Sequence, residues 1–416
     1  RNTMRDLLGI DTDYARDLPP EGLSPDGFDN NGQSLQMTDL QLEYYLAAAR
    51  DGLSKAIVSG PAPEVFRHEF ERSTSDKKDT GTSVLGSKEQ FLVKLKEYPD
   101  EGEFLIRVKA RAKLVDGRGY PQLRASLGYR ADVKGPRASL PTVHDVTDEQ
   151  WQTFEFRDRV EHYPMPSRTQ SKFPGLLVVL DNAYAEGRDL SKKSGKKKKP
   201  KKGAPAAPKK LTFPEIEVAS LEFVGPVFGS WPPAHHTRIL FPSPTRAHNE
   251  SAYAGEVIKR FMNHAFRRPV STDEARPYGK FFATVRPRVD SFEEAIRETL
   301  AMVLISPEFL YLFEPAKGDT KRPIDDWELA SRLSYFLWST MPDARLIRLA
   351  RKGELGNPET LAGEVKRMLA DERSWAFVEG FAGKWLDVGA VDRAVSYTHL
   401  RAHETKTRIS VCGVWG

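Results

Sequence analysis

The sequence is short of the residues that most often announce chemistry. Across 416 residues there is one cysteine, Cys412, so an intrachain disulfide and a thiolate zinc site are both excluded. There is no G-x-S-x-G elbow, H-E-x-x-H helix, phosphate-binding P-loop or G-x-G-x-x-G turn, which removes the common signatures of hydrolases, metallopeptidases and nucleotide enzymes. No apolar run approaches the roughly 20 residues that a membrane span needs, and no transmembrane segment is expected. The chain opens on Arg1 inside a segment that reads as helical. A missing N-terminus is therefore expected, and the lack of a signal peptide carries no information.

A nucleic acid partner is argued against by where the charge lies. The formal net charge is +5, but ten lysines fall between Lys192 and Lys210 with no acid among them; without those ten the chain carries −5. They sit in SKKSGKKKKPKKGAPAAPKK, a low-complexity stretch rich in Pro, Gly and Ala. Such composition reads as a solvated, disordered insertion (190–210) rather than a binding arm, and no nucleic acid partner is expected.

What is present is a change of period. Residues 1–60 read as a helical module with one long loop: Gly9 ends a first helix, and Thr38 caps a second that places Leu42, Tyr45, Leu46 and Leu53 on one side. From about residue 65 to 225 the period becomes two. Ile106, Val108, Ala110, Ala112 and Leu114 alternate with Arg107, Lys109, Arg111 and Lys113. Phe91 to Leu95, Leu123 to Tyr129, Phe154/Phe156, Leu176 to Leu180 and Ile216 to Val224 add further strands. The lysine tract would separate the last two. A Pro-rich connector (226–249) precedes two further helical modules, 250–315 and 320–394. Ser271 with Glu274 and Ser291 with Glu294 form capping boxes, Pro307 stops the second of these helices, and Asp325 and Asn357-Pro358 open two more. Trp327, Trp338, Trp375 and Trp385, with Leu361, Val365, Met368, Leu369, Phe377, Phe381 and Leu386, read as core. The expected fold is multi-domain α + β: an antiparallel, jelly-roll-like sandwich between N-terminal helices and a C-terminal helical bundle.

Three blocks resemble known modules. RNTMRDLLGID (residues 1–11) with LPPEGLSPDGFDNNG and LEYYLAAAR is similar to the N-terminal helical module of a planctomycete multi-domain family of unknown function, built of PSD modules and associated with cytochromes. RFMNHAFRRPVSTDEARPY with SFEEAIRETLAMVLISPEFLYLFE resembles a second module of that family. DDWELASRLSYFLWSTMPDARL with VKRMLADERSWAFVEGFAGKWL resembles a third. The resemblance implies a fragment of an exported protein of the bacterial periplasm or cell surface, with haem c on an absent upstream domain. No cofactor is expected in this piece, because haem c attachment needs C-x-x-C-H. A different resemblance marks the tail: VSYTHLRAHET (Val395–Thr405) is similar to a translated sequencing-library adapter. Native sequence is then expected to end near Ala394, with 395–416 a non-native tail that contains Cys412.

Candidate site residues fall in the middle region. Trp151, Tyr120, Tyr129, Tyr163 and Tyr184 offer rings that could stack on sugars, and the row Arg107, Lys109, Arg111 and Lys113 would favour an anionic polysaccharide. The competing reading is core aromatics and a solvated outer face. Residues 27–38 place Gly32 as a calcium loop would, yet Gly27 and Thr38 replace its end ligands, so turn formation is the preferred reading. Adjacent His235-His236 lack metal-ligand spacing. Arg267, Arg268 and Arg332 could pair with Asp325, Asp326 or Glu328, or grip an anion. Three functions stay open: a scaffold with a polysaccharide-binding sandwich, a redox or hydrolytic enzyme completed by missing modules, and an interaction module with a large exposed apolar patch on its helices.

Overall fold

The computed structural model describes residues 1–14, 18, 38–73, 83–86, 89–130, 137–166, 175–185, 213–312 and 322–386. The lysine-rich insertion, the 27–37 loop and the tail from 387 onward lie outside these described residues. The chain divides into two units, residues 60–233 and the combination of 1–59 with 234–416.

The first unit is an antiparallel sandwich, with nine strands among the described residues: β1 (Phe66–Phe70), β2 (Ser83–Leu85), β3 (Phe91–Leu95), β4 (Glu103–Lys113), β5 (Gln122–Gly128), β6 (Arg137–Asp145), β7 (Gln152–Arg159), β8 (Leu176–Asn182) and β9 (Glu215–Gly225). One sheet has the order β1-β9-β4-β7, with β2 also on β9, and the other β3-β8-β5-β6. Strands far apart in sequence thus lie side by side, as in a jelly roll. Alternation sets the faces. Along β4, Phe104, Ile106, Val108, Ala110 and Ala112 are buried, while Arg107, Lys109, Arg111 and Lys113 face out. On β9 the two-residue period slips at the bulge opposite Lys109/Ala110, so Ile216 and Val218 face in, and then Leu221 and Phe223. An extra residue there keeps both halves of the strand facing the core. Phe104 stacks on Phe223 at 5.6 Å, and each such ring taken from water contributes about 1.5–3 kcal/mol.

The second unit is helical: α1 (Asn2–Leu8), α2 (Asp39–Ala56), α3 (Ala234–Ile239), α4 (Thr245–His248), α5 (Glu250–Ala265), α6 (Thr272–Val285), α7 (Phe292–Leu304), α8 (Pro307–Leu310), α9 (Asp326–Trp338), α10 (Ala344–Lys352) and α11 (Pro358–Leu369), then a continuous helical run of mixed 3-10, α and π turns from Glu372 to Trp385. The N-terminal helices do not stand alone. Leu7, Leu8, Leu53 and Ile57 share one core with Tyr253, Val257, Phe261, Ile296 and Leu300. The Pro-rich connector is divided: its part from Ala234 on belongs to this unit, where α3 and the residue after it bury Ile239 and Leu240. A second core gathers Ala330, Leu337, Trp338, Leu346, Leu355 and Met368.

Local signals hold at most helix starts. Thr38–Gln41, Ser271–Glu274 and Asp325–Glu328 form complete capping boxes. At α7 the box is half made: Ser291 accepts from the Glu294 N–H, but the Glu294 carboxylate turns to the Asp290 N–H. That helix ends at Leu304, and Pro307 opens α8 instead of stopping α7. Several core expectations fail, with Leu114, Leu369, Phe381 and Leu386 exposed. Leu42 is exposed, because α2 packs through Ala49, Gly52, Leu53 and Ala56. Trp375 and Trp385 are 67% and 69% exposed and not core, whereas Trp338 is 1% exposed.

Candidate functional site

Strand register places the candidate residues at two ends of the sandwich. One end carries the C-termini of β4, β6 and β8 and the N-termini of β5, β7 and β9, since Gln122 pairs Asp145, Ala110 pairs Gln152, Leu123 pairs Asn182, and Lys113 pairs Glu215. Tyr120, Trp151 and Tyr184 all lie in the connections at this rim. Tyr129 follows β5 and Tyr163 follows β7, at the opposite end. Tyr163 is buried against Phe104, and its hydroxyl donates to Asp158 at 2.6 Å. Burial and that carboxylate push its pKa upward. It is a core residue and no sugar platform. Tyr129 is half-buried.

At the rim, Tyr120 is 50% and Trp151 36% exposed. The Arg111 guanidinium lies 4.5 Å from the Trp151 ring centroid, and it is fixed there by Glu217, with Nε 2.9 Å and Nη2 2.8 Å from the same carboxylate oxygen. Tyr184 is buried and acts as a support: its hydroxyl accepts the Gly119 N–H at 3.3 Å, holding the turn that presents Tyr120. Asn182, buried at the end of β8, ties the rim together. Its Oδ1 accepts the N–H of Gln122 and Tyr184, and its Nδ2 donates to the carbonyls of Pro214 and Leu85. A buried side-chain amide must be satisfied in this way. The connection before Trp151 is pinned by the Ala112 N–H on the Asp148 carbonyl and the Val146 N–H on the Pro121 carbonyl.

The cation row does not form a positive stripe. Arg107 bonds Glu155 at 2.8 Å and Glu222 at 3.0 Å, and Arg67 also pairs with Glu222. Lys113 lies 3.7 Å from Glu217. Lys109, between Thr153 and Ser220 in register, is the member of the row that faces no carboxylate in register. Alternating strands supply alternating charge, so the outer face is a ladder of cross-strand ion pairs. The charge argument for an anionic polysaccharide is corrected accordingly.

The helical unit gathers the arginines noted in the sequence. Arg267, Arg268, Asp325, Trp327, Glu328 and Arg332 all line one cavity of about 280 Å³. Within it the acids have structural duties: Asp325 caps α9, and Glu328 pairs with Arg322. Among the described residues no three His, Cys, Asp or Glu converge as a metal site. His236 is buried, which pushes its pKa down. No helix among the described residues is long and apolar enough to cross a membrane. An aromatic stripe runs through exposed Phe336, half-buried Phe377 and exposed Phe381 and Trp385, which follow one another at centroid distances of 5.0, 5.3 and 6.1 Å.

No curated protein matches this sequence. Among solved structures, a xylan-binding CBM22 domain from Paenibacillus barcinonensis is similar over 40% of this chain and 96% of that chain. It is 12% identical with a TM-score of 0.22, and so weak a likeness carries no functional argument. Family models match three segments, each described as a protein of unknown function: PSD3 (DUF1587) over residues 1–58, PSD5 (DUF1595) over 253–314 and PSD4 (DUF1592) over 324–408. The last match runs through Val395–Thr405 and so draws no boundary at Ala394. Three segments of the chain thus match PSD models of unknown function, in the order PSD3, PSD5, PSD4, with the sandwich set between the first two.

Proposed function

We propose that the β-unit is a polysaccharide-binding module and that its binding surface is the rim bearing Tyr120 and Trp151. One observation carries this reading: two partly exposed rings stand in neighbouring connections at the same end of the sandwich, with Arg111 locked against Trp151 by a buried carboxylate. A ring held rigid loses little entropy when a sugar face stacks on it, and a fixed guanidinium beside it offers donors to hydroxyl groups. The charge ladder favours a neutral polysaccharide over a sulfated or uronic one. Affinity electrophoresis of the whole chain in gels containing neutral or sulfated polysaccharides tests the proposal. Neutral polymers should retard the chain, and Trp151→Ala and Tyr120→Ala should abolish the retardation while leaving the unfolding transition unchanged. Retardation by neither class removes the binding claim, and stronger retardation by the sulfated class overturns the choice of ligand.

On family resemblance, the same reading extends to an exported, periplasmic or surface scaffold of a planctomycete, accompanied by a haem c domain upstream and with foreign sequence from Val395 on. Recovering the full gene tests these points together. An upstream C-x-x-C-H, a signal peptide and a different continuation after Ala394 are expected. An uninterrupted frame that contains Val395–Thr405 in the genome refutes the last.

A further inference from the structure

Arg267 stands where an arginine is costly twice over. Its backbone is left-handed, with φ 59°, a conformation that strains a residue with a Cβ. Its side chain is 4% exposed, and a buried guanidinium loses hydration worth several kcal/mol. The compensation is made of neutral groups. Nη1 donates to the Phe309 carbonyl at 3.1 Å and the Tyr335 hydroxyl at 3.2 Å, and Nη2 to the carbonyls of Glu308 at 2.7 Å and Tyr311 at 2.8 Å. Among the described residues no carboxylate lies within ion-pair distance of it. Four dipoles hold the cation in place without cancelling its charge.

Beside it opens a second cavity, of about 300 Å³, lined by Thr3, Met4, Tyr45, Leu304, Tyr335 and Arg267 among others. None of its lining residues is an acid. Its walls are mostly apolar, and the Tyr335 hydroxyl that accepts from Arg267 also lies 3.0 Å from the Thr3 hydroxyl. Each matched module contributes: Thr3, Met4 and Tyr45 from the first, Arg267 and Leu304 from the second, Tyr335 from the third. The site is complete only when all three have assembled.

We infer that this cavity binds a small organic anion, a monocarboxylate with an aromatic or short aliphatic body. The carboxylate would take the field of Arg267 and the one hydroxyl proton that the Thr3–Tyr335 pair leaves over, and the body would pack against Met4 and Leu304. A volume of about 300 Å³ lies at the lower end of the range for ligand sites and suits a single-ring compound. This inference is independent of the sandwich rim.

Calorimetric titration of the whole chain with benzoate, benzyl alcohol and benzylamine tests it, because the three differ in charge at nearly equal size. Benzoate should bind saturably, at least tenfold more tightly than benzyl alcohol, and benzylamine least. Arg267→Met should remove that preference. That variant also loses four hydrogen bonds and could fail to fold, so Ala48→Trp provides the second test. Ala48 lines the cavity at a half-buried position of α2, and an indole there should abolish benzoate binding while the melting temperature is kept. No saturable benzoate binding, equal binding of the three compounds, or undiminished binding by A48W overturns the inference.

Discussion

Gly52 sits in the interior of α2, where two effects of Gly52→Ala oppose each other and their sizes decide the sign. Alanine in a helix interior is favoured over glycine by about 1 kcal/mol. Here, however, a Cβ would lie 2.8 Å from Tyr14 Cε1 and 2.9 Å from Leu8 Cδ1. Both neighbours are buried, and Tyr14 is further fixed by its hydroxyl bond to the Ile10 carbonyl at 2.9 Å. Overpacking of this kind costs about 1–3 kcal/mol, and with neither neighbour free to move the upper part of that range applies. The net expectation is a loss of about 1–2 kcal/mol, which for a unit of this size lowers Tm by about 2–8 °C. Gly255 and Gly363 provide the controls. They lie within α5 and α11, are exposed, and have nothing within 4 Å of an added Cβ. Each should gain about 1 kcal/mol on substitution by alanine, a rise of about 2–4 °C. Thermal melts followed by far-ultraviolet circular dichroism report mainly on the helical unit and read all three. If Gly52→Ala melts at or above the parent temperature, α1 and Tyr14 yield freely, and close approach is not the reason for glycine there.

The remaining predictions concern the second helical core and acid. Trp338 is buried, donates its indole N–H to the Met368 carbonyl at 3.0 Å and lies 3.5 Å beneath the Arg373 guanidinium; Trp338→Ala should cost about 3–5 kcal/mol. Trp385→Ser, at an exposed position, should change stability by no more than about 0.5 kcal/mol, and chemical denaturation separates the two. Arg268 and the Ser271 N–H hold the Glu274 carboxyl down to about 2, and the Arg373 side chain does the same for Asp371, also to about 2. A carboxylate pKa lower in the folded than in the unfolded chain stabilises above the unfolded value, and that contribution is lost as pH falls from about 4.5 towards 2. Melts of the helical unit at steps across that interval should show a falling Tm, and a Tm that is flat there would refute the contribution of both pairs.

Helix starts were legible because a cap is a local device. Thr38, Ser271, Asp325 and Asn357 each bond within three residues of themselves, so four letters of sequence hold the whole interaction. The strands β1, β2 and β6 went unread for the opposite reason. β6 buries Leu140 alone among its nine residues and carries Pro141, so an edge strand of this kind has little alternation to show. The charge row on β4 was read correctly as outward-facing but not as neutral. Its counterions Glu155 and Glu222 lie 48 and 115 residues from Arg107, and only register brings them opposite. The aromatic platform was read too broadly, since composition cannot tell a ring that supports a turn, as Tyr184 does, from one that faces solvent, as Tyr120 does.

Arg267 shows where a finer reading was available. In RFMNHAFRRPV the helix α5 ends at Ala265, and the turn that follows contains no glycine, although a left-handed residue commonly closes a helix at this point. An arginine at φ 59° implies that its side chain does what glycine there would forfeit. Here the guanidinium ties the carbonyls of Glu308, Phe309 and Tyr311 to the hydroxyl of Tyr335, joining the second matched module to the third. Tyr335 in turn meets Thr3 of the first. The order of modules along the chain is a property of sequence. The first two modules meet through a shared apolar core, whereas the bond of the second to the third runs through one strained residue, visible only when its backbone angle and its hydrogen-bond partners are considered together.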